Sequence, residues 1–112
     1  MKIAFTSSGK DWDAHIDPRF GRTRYLVLYD EETDELTIID NQEVDEMGHG
    51  AGPATTQKLA DLKPDLLITG NGPGETAAKG LKLLNIKIIT GAQNLTLRQA
   101  YEQYQFGHLR EN

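Results

Sequence analysis

The chain has no cysteine among its 112 residues. This absence excludes disulfide bonds, thiolate metal sites, iron–sulfur clusters held by four cysteines and cysteine nucleophiles. Any metal that the protein binds must therefore be held by histidine, by carboxylates or by non-covalent contacts.

Long hydrophobic runs are also missing. No apolar stretch approaches the roughly 18 residues that suggest a membrane-spanning helix, and residues 1–9 are typical of a strand, without the hydrophobic region or cleavage site of an export signal. The length and the hydrophobic fraction of 38% suit one globular domain. We therefore expect a soluble, cytoplasmic protein with a single domain over residues 1–112 and no membrane association.

Basic residues are absent from one long segment. Nine acidic residues and no Lys or Arg lie from Asp30 to Glu46, which gives this segment a charge of −9; because the whole chain has −5, the remainder has +4. Part of that positive charge lies in Arg19, Arg22 and Arg24. A solvated face with scattered arginines is one interpretation. The acidic balance argues against nucleic acid, which requires a basic face.

Hydrophobic patterning predicts five strands, at residues 2–6, 25–29, 36–39, 66–68 and 86–89. Three helices are predicted: one from Pro53 that Pro64 ends, one after Gly74, and a last one that Thr96 and Gln99 cap and Gly107 ends. The second helix is indicated by the helical spacing of Ala77, Gly80, Leu81 and Leu84. The order β-β-β-α-β-α-β-α indicates an α/β fold with a five-stranded mixed sheet, an antiparallel meander extended by right-handed crossovers.

Strand direction gathers the glycine-rich loops at one edge of this sheet. If the first strand runs up, the hairpin makes the second run down and the crossovers make the fourth and fifth run up. The loop after the first strand then shares the top edge with residues 48–52, 70–74 and 90–94, whereas the acidic turn at residues 30–35 lies at the bottom. Ligands of open α/β sheets bind at this top edge, and helix N-termini there favour an anion.

The glycine loops match no nucleotide-binding motif. Residues 70–74 lack the Lys-Ser/Thr of a P-loop, and the first strand is not followed by G-x-G-x-x-G. Glycines allow a ligand close to backbone N–H groups. The alternative is that they only form tight strand-to-helix turns.

Arg19-Phe20-Gly21-Arg22, followed by a strand at residues 25–30, resembles the dinitrogenase iron–molybdenum cofactor biosynthesis family. The likeness continues through residues 48–52, 67–74 and 84–88, so it covers essentially the whole chain. This family contains nitrogenase accessory proteins that carry the cofactor or its precursors, and small stand-alone relatives. The resemblance implies a three-layer α/β/α ribonuclease H-like motif and a non-catalytic carrier domain.

The cargo implied by the resemblance is an iron–molybdenum or related metal–sulfur cluster, without a covalent bond to the protein. Such a bulky anion needs diffuse positive charge, N–H donors and an exchangeable imidazole. Many family members have histidine where this chain has Arg19, so His15 is a candidate substitute. The expected cofactor-binding residues are His15, Arg19, Phe20, Gly21, Arg22, His49, Gly50, Gly70, Gly72 and Gly74, with His15 and His49 as metal ligands. We also expect a protein that donates or accepts the cluster, and a monomer or weak homo-oligomer.

Several single residues have a second interpretation. His15 and His49 are solvated loop residues in that view, and Phe20 is a core residue beneath the loop. Trp12 is either a lid over the site or a local packing anchor. His108 is expected to interact with the end of the last helix.

Two other functions use the same scaffold. One is a small-molecule or phosphate sensor, or an interaction module, that binds through the glycine loops. The other is a metal-dependent hydrolase, but the first strand lacks the carboxylates that hold metal ions in ribonuclease H-like nucleases. Asp11, Asp13 and Asp17 offer a possible divalent-cation site, although solvated turn residues are the simpler interpretation.

Overall fold

Ten elements follow one another along residues 1–111, the part of the chain that the computed structural model describes. They are β1 (Lys2–Ser7), β2 (Tyr25–Asp30), β3 (Glu35–Asp40), α1 (Gln42–Asp45), α2 (Ala51–Leu62), β4 (Leu66–Ile68), α3 (Glu75–Leu83), β5 (Lys87–Thr90), α4 (Leu97–Gln105) and β6 (Arg110–Glu111). None of the helices in this range has the length and apolar character needed to cross a bilayer.

The strands form a mixed sheet in the order β3-β2-β1-β4-β5-β6. β2 is antiparallel to both β1 and β3, whereas β1, β4 and β5 are parallel neighbours. The predicted strand directions are confirmed. The predicted number of strands is wrong by one, because β6 pairs antiparallel with β5 through Ile89↔Glu111 and Thr90↔Arg110. This polar pair of residues has no strand pattern of its own and forms a strand by covering the open edge of β5.

Alternating side chains of the strands cover the two faces of the sheet. Ile3, Phe5, Val27 and Ile68 point to the face covered by α4, where Leu97 and Ala100 are fully buried. Ala4, Leu26, Leu67 and Ile88 point to the face covered by Leu59 of α2 and Leu81 of α3. Burial of each of the Val, Leu, Ile and Phe side chains among them contributes about 1.5–3 kcal/mol. The three-layer α/β/α arrangement is thus confirmed.

The ends of the helices follow local sequence rules, with exceptions. Thr96 and Gln99 form the predicted capping box of α4, and Gly107, at φ 75°, follows its end. α1 was not predicted, since its four residues are too few to show a helical period. α2 begins at Ala51 rather than Pro53, so the predicted loop is shorter.

The predicted helical position of Leu84 is wrong, because this residue follows the end of the second predicted helix. α3 ends at Leu83, and the chain turns through Asn85, which has φ 63°. Leu83 and Leu84 are 84% and 57% exposed, so only Leu81 of this stretch enters the core.

Candidate functional site

The carboxyl ends of β1 and β4 hold the segment around Arg19 against the glycine loop of residues 70–74. The N–H of Asn71 donates a 2.8 Å hydrogen bond to the carbonyl of Pro18. A methyl group added at Gly70 would lie 2.7 Å from Cα of Pro18, so only glycine fits at this crossing. The buried hydroxyl of Thr6 lies 2.8 Å from both the Asp17 carbonyl oxygen and Oγ1 of Thr69. The two segments therefore share one edge, as strand direction predicts.

Asp17 is the buried carboxylate that orients Arg19. It is 4% exposed, and its oxygens accept hydrogen bonds from the N–H groups of Arg19 and Arg24, each at 3.0 Å. Nε and Nη2 of Arg19 donate to the same carboxylate, each at 3.2 Å. This side-chain hydrogen bond raises the pKa of Arg19 above its usual range. Asp17 is therefore not a solvated turn residue, because its carboxylate is engaged by Arg19 and Arg24.

Asp45, at the end of α1, meets both arginines of the Arg-Phe-Gly-Arg element. Its Oδ1 lies 3.4 Å from Nη1 of Arg19 and 3.9 Å from Nη1 of Arg22. Arg22 Nη1 also donates a 2.8 Å hydrogen bond to the Asp45 carbonyl. The arginine side chains keep 50% and 36% of their surface exposed. Sequence reasoning missed Asp45, because it is one carboxylate in a long acidic run and α1 was not predicted.

Gly21 attaches this element to the first turn of α2. A methyl group at Gly21 would lie 3.3 Å from Cα of Gly52, and the Thr55 hydroxyl donates a 2.6 Å hydrogen bond to the Gly21 carbonyl. Buried Asn41 donates from Nδ2 to both Oγ1 of Thr55 and the Thr23 carbonyl, each at 3.0 Å. The sequence does not indicate a role for these supporting residues, since they belong to no motif.

Phe20 lies beneath the turn. Its side chain is 4% exposed and belongs to the core cluster that contains Leu26 and Leu59. This agrees with the interpretation of Phe20 as a core residue, since its ring is not exposed at the surface.

The N-termini of α2 and α3 have no side-chain caps. Their N-cap residues are Gly50, which has φ 84°, and Gly74. The first intrahelical bonds come from the N–H groups of Ala54 and Ala78, so the preceding N–H groups are without a helical acceptor. Gly72 and Gly74 are exposed, and nothing lies within 4 Å of a Cβ added at Gly74. Both helices thus direct the positive end of their dipole towards the loop edge.

A groove separates α2 from α3. It has a volume of about 570 Å³ and extends from Gly52 and Gly74 at the loop edge to Ala60 and Leu84 at the far ends of the helices. Its lining includes the small residues Ala77 and Gly80.

The two candidate histidines lie on different parts of the edge. His15 is exposed and forms a β-bridge with Thr96, directly before α4. His49 is exposed and comes just before Gly50, at the start of α2. Within residues 1–111, no three His or carboxylate side chains are grouped so as to hold a metal ion. The two histidines therefore belong to segments that lead to helices on opposite faces of the sheet.

Trp12 is a packing anchor and not a lid. Its ring centroid lies 4.8 Å from that of Tyr29, 5.7 Å from that of Tyr101 and 6.0 Å from that of Phe5. His108 follows α4, and its ring contacts that of Phe106 at a centroid distance of 6.0 Å.

Fold and site together define a class: a small three-layer α/β/α domain in which arginines and two uncapped helix N-termini meet at the carboxyl ends of parallel strands. The family model described as "Dinitrogenase iron-molybdenum cofactor" matches residues 1–107. The chain belongs to this family, as the Arg-Phe-Gly-Arg element and the glycine loops indicate.

Among the solved structures that share the fold are the following two. The apo form of the orange protein from Desulfovibrio gigas is 33% identical, has a TM-score of 0.90, and is matched over 99% of this chain and 92% of its own. A putative NifB protein from Thermotoga, assigned to the DUF35 family and solved by NMR, is 28% identical with a TM-score of 0.82, over 98% of this chain and 91% of its own. No curated protein matches this sequence.

Proposed function

We propose that this protein is a non-catalytic binding or carrier protein for an anionic metal–sulfur cluster of the iron–molybdenum cofactor type, or for its precursor. The observation that carries the proposal is the contact between Gly21 and Gly52, because it joins the arginine element to the uncapped start of α2. Membership of the family and the likeness to a protein solved in its apo form support the same conclusion. The carrier domain proposed here spans residues 1–112.

A cluster that brings its own sulfide needs no thiolate from the protein. It needs donors spread over several ångströms, and the guanidinium groups of Arg19 and Arg22 supply charge-assisted hydrogen bonds. The free N–H groups at the starts of α2 and α3 add the positive ends of two helix dipoles. In this proposal the imidazole of His49 is the exchangeable metal ligand. The remaining candidate, His15, faces the cluster only if the cargo extends towards α4.

Asp45 is the group that an anionic cargo must displace. It is 46% exposed, and surface ion pairs of this kind contribute only about 0–1 kcal/mol each. Exchange of one carboxylate for an anionic cluster therefore costs little, and the reverse exchange assists release. Weak, replaceable contacts suit a carrier that passes its cargo to another protein.

The alternative of a metal-dependent hydrolase is less well supported. Of the three aspartates proposed for it, Asp17 is held by Arg19 and Arg24, and Asp11 and Asp13 are exposed. We also propose a cytoplasmic location, a protein partner that donates or accepts the cluster, and a monomer or weak homo-oligomer that binds neither nucleic acid nor membranes.

The decisive experiment is anaerobic incubation with an isolated molybdenum–iron–sulfur cluster, followed by gel filtration and metal analysis of the protein peak. We expect molybdenum and iron to elute with the protein, and the double variant Arg19→Gln, Arg22→Gln to lose most of both metals while it keeps its circular dichroism spectrum. A colourless, metal-free peak from the natural sequence would overturn the proposal.

Titration with inorganic phosphate distinguishes the carrier proposal from the alternative of a phosphate sensor. Selective NMR shifts at Gly72 and Gly74 on addition of phosphate or nucleotides, without retention of the cluster, would favour a phosphate sensor. The carrier proposal predicts retention of the cluster and no selective response to nucleotides.

A further inference from the structure

A second pocket lies on the α4 face of the sheet, away from the arginine edge. It has a volume of about 380 Å³, and the rings of Trp12, Tyr29 and Tyr101 form part of its wall. The carboxylates of Asp34 and Glu102 complete much of the lining, together with Arg98 and Gln105. The pocket thus combines three aromatic rings with two acidic groups.

The rings are held in fixed positions by each other and by hydrogen bonds. Tyr29 packs edge-on against Trp12 and Tyr101, with interplanar angles of 77° and 81°. The Tyr29 hydroxyl donates a 2.8 Å hydrogen bond to Asp34, and the Tyr101 hydroxyl donates one to Glu31. Both phenols are therefore anchored as neutral donors. Neutral aromatic rings attract cations to their faces.

The charge around the rings favours a positive ligand. Asp34 and Glu102 have no ion-pair partner within residues 1–111, and Asp34 belongs to the hairpin turn of the acidic segment. A cation already lies beside one ring, because Cζ of Arg98 is 5.9 Å from the Trp12 centroid while Nη2 of Arg98 is 3.8 Å from Asp13. With Arg98 balanced by Asp13, the two lining carboxylates leave the pocket negative.

We propose that this pocket binds an organic ammonium ion, with a quaternary ammonium group as the preferred chemistry. A quaternary ammonium is weakly hydrated and spreads its charge over methyl groups that contact ring faces, whereas a small metal ion would need several oxygen ligands. The volume accommodates an ion of the size of choline. This site is independent of the proposed cluster site, since its rings belong to the α4 face and the arginines to the loop edge.

Trp12 provides a direct reporter, because it is the only tryptophan of the chain. Its fluorescence is to be followed during titration with choline chloride, with sodium chloride, and with the uncharged isostere in which a tert-butyl group replaces trimethylammonium. We expect a saturable change with choline alone. The same response to the uncharged isostere would indicate a merely apolar pocket, and the same response to sodium chloride would indicate screening. Either result, or no response to choline, overturns the proposal.

A pair of charge-matched variants locates the site. Asp34 has φ 58°, a backbone conformation that Asn also tolerates, and Asp34→Asn keeps an oxygen for the Tyr29 hydroxyl. We expect Asp34→Asn to raise the choline Kd about two- to fivefold. Asp61→Asn removes the same charge from α2 on the opposite face and should leave the Kd unchanged. Equal weakening by both variants would show a general effect of net charge and would refute a site at the rings.

Discussion

The N–H of Asn71 donates a 2.8 Å hydrogen bond to the carbonyl of Pro18, and this contact joins the loop after β4 to the residue before Arg19. Both segments follow parallel neighbours of the sheet. The hydrogen bond fixes how far the glycine loop stands from the arginine element.

Gly70 is crowded by Pro18 whereas Gly80 has free space around it, so substitution of the two glycines by alanine should change the free energy of unfolding in opposite directions. Gly70→Ala places a methyl group 2.7 Å from Cα of Pro18 and should lower the free energy of unfolding by about 1–3 kcal/mol. Gly80 lies inside α3 with nothing within 4 Å of an added Cβ, so Gly80→Ala should raise it by about 0.5–1 kcal/mol. Urea denaturation measures both. An increase in the free energy of unfolding for Gly70→Ala would contradict this account of the loop edge.

Asp17 is buried whereas Arg19 is half exposed, so substitution of the two residues should affect the stability of the protein to different extents. Asp17→Asn replaces an acceptor of several N–H groups by an amide that must face some of them with its own N–H, and should cost about 1–3 kcal/mol of stability. Arg19→Gln leaves the buried carboxylate with its two backbone N–H donors and should therefore cost less than Asp17→Asn. The comparison is made by denaturant unfolding of the two variants. If Arg19→Gln were the more damaging, the role of Asp17 as the organising residue would be wrong.

Removal of Asp45 is expected to improve anion binding. Asp45→Asn frees Arg19 and Arg22 from their shared carboxylate, and should lower the Kd for the metal–sulfur cluster about two- to fivefold. Glu35→Gln, at the start of β3 and therefore at the other end of the sheet, is the charge-matched control. Affinity is measured by anaerobic titration of the cluster. Equal improvement in both variants would point to net charge and not to release of the arginines.

The positions of the histidines predict different outcomes for their substitution. His49→Gln should lower the amount of metal retained after gel filtration, because His49 adjoins the uncapped start of α2. His15→Gln should retain the metal, since His15 lies beside Thr96 at the start of α4. Loss of metal from the His15 variant with retention by the His49 variant would assign the imidazole to His15.

Tyr101 should make the protein less stable as the pH rises in the alkaline range. Burial, and then the hydrogen bond to Glu31, raises the pKa of Tyr101 above its ordinary value of 10.0. The unfolded chain therefore releases this proton first as the pH rises. The stabilisation is fully present below about pH 10 and is lost as the pH rises further towards the pKa of the folded state.

Tyr101→Phe tests this linkage. The free energy of unfolding of the natural protein should fall more steeply above pH 10 than that of the variant, as measured by urea denaturation at a series of pH values. The pKa of Tyr29 is also raised, but Tyr29 is present in both proteins. The difference between the two pH curves therefore reports the removal of the Tyr101 hydroxyl. Parallel curves would show that Tyr101 does not carry the effect.

Local patterns predicted the elements because they depend on neighbours in sequence. The alternation around Ile3 and Phe5 predicted β1, and Thr96 with Gln99 predicted the cap of α4. The order of these elements, with the hairpin and crossover rules, was enough to bring Arg19 and Gly70 to one edge. The absence of cysteine limited the kind of cargo, because composition alone excludes a cluster held by thiolates of the protein.

Other features depend on contacts between segments that are distant along the chain. Such contacts leave no periodic pattern in a single sequence. β6 exists because β5 has an open edge, and α1 has too few residues to show a pattern. The cluster-binding role of the ten candidate residues stays a prediction.

The sequence by itself determined the class of fold, the strand directions and the edge at which a ligand is expected, because hydrophobic periodicity and chain connectivity are local properties. Only the tertiary structure decided which charges meet. It set Asp17 against Arg19, brought Asp45 to both arginines and left Asp34 and Glu102 beside three aromatic rings. Electrostatic partners are chosen by distance in space, and that distance exists only once the three layers have packed.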